Sequence, residues 1–398
     1  MTETAVRPRE ILRVLRGRQS EMLRLLEKFV RCESPSFDKA AVDRFGEIVA
    51  AEWQKRGARV EILRQPKRGN HIRAEIWDGS GRSSGMRATS SSGQLMALGH
   101  LDTVYPLGTL ATMPFRVSGG RACGPGTFDM KGGLVQALFA VDALRAAKIA
   151  LRKRLVFLWN SDEEIGSESS RKAIESEARR SDAVFVLEPA FGPDGRLKTG
   201  RKGVGTAEIL VTGRSAHAGI EPERGINAVH ELALQIARLM KMNDPRRGIT
   251  VQATVIDGGT VSNVVPHHAH AEVDVRYTRL ADAKPLDRKL HSLKPILPGA
   301  KIEIRGGITR PPLERTPQVA ELFTRAKSLA SEIGLSLAEA STGGGSDGNL
   351  TAALGIPTLD GLGAVGDGAH SPREHVIIRA MPERAALLAA LLATAARF

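Results

Sequence analysis

Three short apolar runs, LMALGH (95–100), LVFLWN (155–160) and AVFVLEP (183–189), constrain this chain more than any other feature. Each has the length and the β-branched or aromatic character of a buried strand, and helical apolar spacing fills the sequence between them. Strands alternating with helices imply a mainly parallel α/β sheet, whose sites lie beyond the carboxyl ends of its strands. Each run closes on polar or ionisable residues, so the chemistry-bearing side chains are expected along one sheet edge.

Around this frame the 398 residues are organised in recognisable blocks. Ile11, Leu12, Leu15, Met22, Leu25, Leu26 and Phe29 recur at helical spacing with arginines between them, which predicts an amphipathic opening helix packed on the body rather than laid on a membrane. A second helix is expected over Lys39–Arg56, stopped by Gly57, then strands at Arg59–Leu63 and His71–Trp77. The stretch GSGRSSGMRATSSSGQ, from Gly79 to Gln94, reads as a loose surface connection without a role of its own. From Arg201 the texture changes to strand, helix (Ile226–Met242), strand, strand, with the one-sided alternation of an inserted α+β domain. From Pro312 the helix-and-strand texture returns and runs to an alanine-rich C-terminal helix. The expected domains are a discontinuous one over 1–200 and 312–398 and an insertion over 201–311.

Charge and composition narrow the function classes. Lys and Arg number 57 against 44 Asp and Glu, giving +13, which favours acidic partners without choosing among them. Aromatics are only 4%, and the basic residues are scattered rather than interleaved with aromatics, so no nucleic-acid partner is expected. Cys32 and Cys123 offer neither a disulfide framework nor a thiolate metal site, which fits a reducing compartment, the cytoplasm. No apolar stretch approaches a membrane span, and no signal-peptide core is seen.

The candidate chemistry lies at strand and helix edges. His100 and Asp102 stand in GHLDTV, two apart on an extended segment, so Asp102 is placed to fix the tautomer of His100. Asp129 lies in GPGTFDMKGG, where glycines let the backbone aim a carboxylate and the following helix start tolerates its charge. Glu163 and Glu164 follow LVFLWN, and in a turn one carboxylate can hold a metal while the other faces water. Glu188 ends AVFVLE, where an unpaired buried carboxylate is costly unless it meets a cation. His370 sits in GDGAHSPREHV. Taken alone, each also fits a structural role: a helix N-cap for Asp129, an acidic loop for the glutamates. Their order, H-x-D, D-x-K-G-G, E-E, E-P and A-H-S, is what makes the set informative.

With HLDTVYPLGTL, FRVSGGRACGPGTFDMKGG, SDEEIGS, GRSAHAG and SNVVP, that order resembles the cocatalytic dizinc amidohydrolases. These include glutamate carboxypeptidase, aminoacylase, acetylornithine deacetylase and succinyl-diaminopimelate desuccinylase, and the likeness is greatest to the glutamate carboxypeptidase branch. The resemblance spans about Glu21 to Arg397. It implies an α/β, phosphorylase/hydrolase-like zinc peptidase domain with an inserted ferredoxin-like dimerisation and lid domain. It further implies one ion on His100, Asp129 and Glu188 and a second on Asp129, Glu164 and His370, with Asp129 bridging. A hydroxide held between the ions would attack the scissile carbonyl, with Glu163 as general base and Asp102 supporting His100. His217 in GRSAHAG would stabilise the oxyanion in the partner subunit's site. Asn263 in SNVVP, Arg276 in DVRYT and Arg310 in ITRPP would hold substrate, and TGGGSDGN at Thr342–Asn349 would wall the pocket.

Two ions, zinc first with manganese or cobalt also compatible, suit this thiolate-free donor set. The tract His267, His268 and His270 is read as an exposed strand entry, and Cys123 is given no ligand role. No nucleophile elbow, Walker loop or dinucleotide fingerprint is present. The expected activity is hydrolysis of the amide of an N-acyl or N-aroyl amino acid, a small anionic substrate, by a homodimer joined through the insertion. The alternative is another carbon–nitrogen bond, in a ureido compound or an aromatic amine, cleaved at the same centre.

Overall fold

A computed structural model describes residues 7–77, 93–149, 151 and 153–394. The Ser/Gly-rich connection lies outside these residues apart from Gly93 and Gln94. The chain divides into two compact units, one comprising the described residues of Met1–Thr199, Arg315–Ser341 and Ser346–Phe398, the other Gly200–Glu314 with Thr342–Gly345. The insertion expected over 201–311 is therefore slightly longer and takes a short piece from the later chain. That piece is captured by hydrogen bonds: Lys202 N donates to Thr342 O at 3.0 Å, and the Arg201 guanidinium donates to the carbonyls of Gly344 and Gly345 at 3.2 and 2.9 Å.

In the larger unit six strands form one sheet in the order Arg59–Leu63, His71–Ile76, Arg154–Asn160, Gln94–His100, Ser181–Val186 and Thr358–Leu359. The last four run parallel to one another, and His71–Ile76 is antiparallel to its neighbours on both sides. The three apolar runs are thus adjacent central strands, buried on both faces as parallel strands between helical layers must be. Their carboxyl ends, at His100, Asn160 and Val186, lie side by side.

The helices are set by local chemistry. Asp38 caps Lys39–Lys55 by accepting from Ala41 N at 2.9 Å, and Gly57, at φ +59°, ends that segment in a conformation other residues resist. The face it buries carries Phe45 and Trp53; Trp53 lies 4.2 Å from Phe157 between ring centroids. Each such side chain contributes roughly 1.5–3 kcal/mol of burial free energy. The opening segment is two helices, Pro8–Gly17 and Gln19–Val30, not one. Glycine is a poor helix former, and the chain breaks at Arg18, whose guanidinium pairs with Glu21 at 2.8 Å and Asp142 at 3.0 Å. Both pieces bury their apolar face, as the periodicity requires.

The smaller unit has four antiparallel strands in the order Thr250–Gly258, His268–Tyr277, Gly203–Thr212 and Lys301–Arg310. With helices Ala228–Met240 and Leu280–His291 between them in sequence, this is the βαββαβ arrangement of ferredoxin-like domains. Ala207, Ile209, Val211, Val273 and Val275 alternate inward against Leu232, Leu239, Leu286 and Leu290 of the helices. No helix among the described residues is long and apolar enough to cross a membrane.

Candidate metal centre

His100 is the last residue of its strand and is almost fully buried. Its Nδ1 lies 2.9 Å from the carbonyl oxygen of Asp102 and 3.5 Å from the nearer carboxylate oxygen. The main chain of Asp102, more than its side chain, therefore holds the ring and turns Nε2 outward. The Asp102 carboxylate has other partners: it accepts from the amides of Glu163 and Glu164, both at 3.2 Å, and from the Ser36 hydroxyl at 2.8 Å. It thus ties the His100 strand end to the neighbouring turn that carries the paired glutamates.

Asp129 reaches the same point from the glycine-rich turn. Gly126 there has φ +71°, and a Cβ on Gly133 would meet the carbonyl of Leu187 at 2.4 Å, so the turn and the helix start pack where larger residues do not fit. The Asp129–Met130 peptide is cis. Lys131 of the same motif is buried, its ammonium donating to the carbonyls of Phe29 at 3.2 Å and Cys32 at 2.8 Å; burial pushes its pKa down to about 8.

The carboxylates and imidazoles interlock. Asp129 Oδ1 is 3.2 Å from His100 Nε2, and Asp129 Oδ2 is 3.3 Å from His370 Nε2. Glu188 Oε1 approaches His100 Nε2 at 3.5 Å, and Glu164 Oε2 approaches His370 Nε2 at 3.2 Å. A Glu163 oxygen lies within 4.8 Å of ligand atoms of both His100 and Glu188. The five candidate ligands and Glu163 therefore come together, although they span 271 positions of sequence from His100 to His370 (370 − 100 + 1).

The electrostatics are those of a cation site. Burial raises the Asp129 carboxyl, but the imidazoles of His100 and His370 outweigh it and hold it below the ordinary range. Burial pushes Glu164 up to about 7 despite His370. The neighbouring carboxylates of Asp129 and then Glu164 push His370 up to about 10. Burial opposes charge on His100, yet Asp102, Asp129 and Glu188 hold its pKa well above the usual value. Glu164 Oε1 is buried with no hydrogen-bond partner, a costly state for a carboxylate oxygen that a cation relieves. Three carboxylates, two imidazole Nε2 atoms and no thiolate fit borderline divalent ions, and Asp129 turns one oxygen to each imidazole.

One residue here escaped the sequence reading. Glu374, fully buried, accepts from the amides of Gly126 at 3.0 Å, Phe128 at 2.8 Å and Asp129 at 2.9 Å, so it holds the Asp129 turn onto the loop that carries His370. Its position four residues after His370 is the only signal in sequence, and an acid in a polar loop looks solvated until its partners are known.

The remaining sequence candidates lie in the smaller unit. His217 and Asn263 are on adjacent chain segments, with Ala218 N donating to Asn263 O at 2.8 Å. His217 is exposed, and its Nδ1 accepts from the amides of Gly219 and Ile220 at 3.1 and 3.2 Å, which places the ring proton on Nε2. Arg276 is already forked onto Asp274, with Nε 3.0 Å from each of its oxygens and Nη2 2.7 Å from Oδ2, and donates to Gly343 O at 3.2 Å. Arg310 ends its strand buried, against Gly345. His267 and His268 are exposed and their rings touch, while His270 bonds Asp257 at 2.9 Å.

Comparison with known proteins gives a consistent result. A sequence profile described as peptidase family M20/M25/M40 matches residues 96–394. Carboxypeptidase G2 of Pseudomonas sp. (strain RS-16) is 32% identical over 382 residues, covering 94% of this chain and 89% of that protein. The M20 family metallo-carboxypeptidase Sso-CP2 from Sulfolobus solfataricus superposes with a TM-score of 0.72 at 19% identity, over 94% of this chain and 98% of its own. The Bacillus subtilis YXEP protein, described as a dinuclear metal-binding peptidase, gives 0.68 at 15% identity, over 96% and 99%.

Proposed function

From the premise that this chain belongs to peptidase family M20/M25/M40 and is a metal-dependent hydrolase of carbon–nitrogen bonds, we propose that it cleaves the amide of N-acyl or N-aroyl amino acids bearing a free carboxylate. The observation that carries this reading is the placement of Asp129 between His100 and His370, with Glu188 and Glu164 completing the two sides. We assign one ion to His100, Asp129 and Glu188 and the other to Asp129, Glu164 and His370, with zinc as the ion. When bound, the pair of cations supplies Lewis acidity at the scissile carbonyl.

The chain's own groups do the rest. Glu163, at the His100 and Glu188 side, takes the proton of the attacking water on its carboxylate and returns it to the leaving nitrogen. Asp102 holds both the His100 ring and the Glu163–Glu164 turn, so base and ligand stay in register. His217, with its proton on Nε2, donates to the oxyanion. Arg276 and Arg310 are the basic substrate-anchor candidates, and Arg276 would have to share its fork with, or release it from, the Asp274 carboxylate. The likeness to carboxypeptidase G2 supports a small anionic substrate, and a net charge of +13 agrees with it.

The test is hydrolysis of a panel of N-acyl and N-benzoyl amino acids, with a ureido compound and an aromatic amine included, before and after chelation and zinc or manganese readdition. Chelator-sensitive release of the amino acid is the expected result. Activity confined to the ureido or aryl amine member would keep the metal centre and replace the substrate class.

We also propose that the protein is a homodimer joined through the insertion, with His217 acting in the partner subunit's site. The strand Thr250–Gly258 is an unpaired sheet edge that exposes Val255 and Ile256, with Val261 exposed just beyond. An apolar edge of this kind is left open where another chain pairs with it. His217→Ala and Glu163→Gln homodimers should each be nearly inactive. Mixed subunits should recover about a quarter of wild-type activity, since half the dimers would hold one intact site of two. Failure of the mixture to recover would place His217 in its own subunit's site or outside the chemistry.

A further inference from the structure

A second cavity, of about 660 Å³, lies in the larger unit, and none of the five candidate metal ligands nor Glu163 lines it. Its walls are the strand Arg121–Cys123, the turn at Pro193–Gly195, Ser336, the paired strands Gly366–Asp367 and His375–Ile377, and the first turn of helix Ala380–Thr394. The volume falls within the ~300–1,000 Å³ typical of small-molecule sites.

Its lining arginines and lining carboxylates are not paired with one another. Arg384 is buried and donates only to carbonyl oxygens, those of Gly363 and Gly195 at 3.0 Å each and that of Gly361, so it has no carboxylate partner. Burial pushes its guanidinium down to about 10, as expected for a charge held without a counter-charge. Three of its five N–H groups are used in these bonds, leaving two. Arg121 and Arg379, both lining the cavity, make no side-chain hydrogen bond or ion pair among the described residues. The acidic lining groups are already engaged: Asp194 with Arg196 at 3.1 Å, Asp367 with its own loop amide at Gly368 at 2.7 Å, and Glu383 with Arg16 at 3.3 Å.

We propose that this cavity is a binding site for a small polyanion carrying carboxylate or phosphate groups, held by Arg121, Arg379 and the free N–H groups of Arg384. Guanidinium forks match both groups, and the Ser336 hydroxyl adds a donor to the same space. Its place in the fold makes it an effector site. Asp367 and His375 pair across the base of the loop 368–374, which carries His370 and the Glu374 that holds the Asp129 turn. An occupant of the cavity therefore rests on the root of that loop without entering the metal centre.

Calorimetric titration of the zinc-loaded full chain with succinate and, separately, inorganic phosphate tests this. Saturable binding of at least one of them is expected, persisting after the metals are stripped with a chelator; the two arms show which anion group is preferred. Arg121→Ala/Arg379→Ala should weaken it at least about tenfold while leaving unfolding temperature, metal content and basal hydrolysis unchanged. The proposal is overturned if neither anion binds saturably, if the double variant binds as well as wild type, or if binding disappears on chelation, which would place the anion on the metals.

Discussion

Replacing Glu163 by glutamine is expected to lower kcat by ~10²–10⁴-fold, the span of general-base contributions, while the protein keeps both metal ions. Glutamine preserves the size of the side chain and its place on the turn held by Asp102, so the five ligand candidates stay where they are. What is lost is an acceptor for the proton of the attacking water. Metal analysis by plasma mass spectrometry beside steady-state kinetics separates this from the other role open to Glu163, which shares a cluster with His100 and Glu188. If the variant loses an ion in proportion to its activity, Glu163 is a ligand and the base must be sought elsewhere.

Asp129→Asn should have a still larger effect, abolishing measurable turnover and reducing bound metal from two ions per chain toward none. The Asp129 carboxylate turns Oδ1 to His100 and Oδ2 to His370, so it belongs to both sides of the centre, whereas Glu188 and Glu164 belong to one each. A neutral amide offers one carbonyl oxygen and no charge, and cannot serve two cations. Glu188→Gln and Glu164→Gln should each lose about one ion, which distinguishes a shared ligand from a generally damaged site. The folded state should also lose the stabilisation that bound metal provides, about 4 kcal/mol when free metal is 1,000 times its dissociation constant, seen as an unfolding temperature that no longer rises with added zinc. Retention of two ions by Asp129→Asn would refute the bridging assignment.

The two variants also probe how the fold serves the site. In a parallel sheet the strand ends lie side by side, so residues just beyond His100, Asn160 and Val186 are neighbours although they are distant in sequence. The fourth side comes from the loop with His370, tied down through Glu374 to the Asp129 turn. Each candidate ligand thus stands on a segment that is hydrogen-bonded to another candidate's segment, which limits how far any one of them can move.

Much of this was legible in the sequence, because it depends on local patterns. The three apolar runs announced buried strands of a parallel sheet, since few other structures bury a short, continuous, β-branched segment; that they are neighbours was decided by the fold. The order of H-x-D, D-x-K-G-G, E-E, E-P and A-H-S marked the residues that the fold gathers. The change of texture after Arg201 marked a second unit, because a sheet covered on one face imposes period-two alternation that a doubly covered sheet does not. Other features were decided only by the tertiary structure. The carboxylate of Asp102 was expected on the imidazole of His100 but is spent chiefly on the Glu163–Glu164 turn, and Arg276, a substrate-anchor candidate, is forked onto Asp274. Glu374 and Arg384 look in sequence like solvated loop and helix charges, yet one is buried under three amides and the other among carbonyl oxygens. The reason is physical: periodicity reports which face of a segment leaves water, whereas the role of an ionisable group is set by its desolvation and by partners that here lie up to about 250 residues away, such as Gly126 for Glu374, and nothing local encodes either.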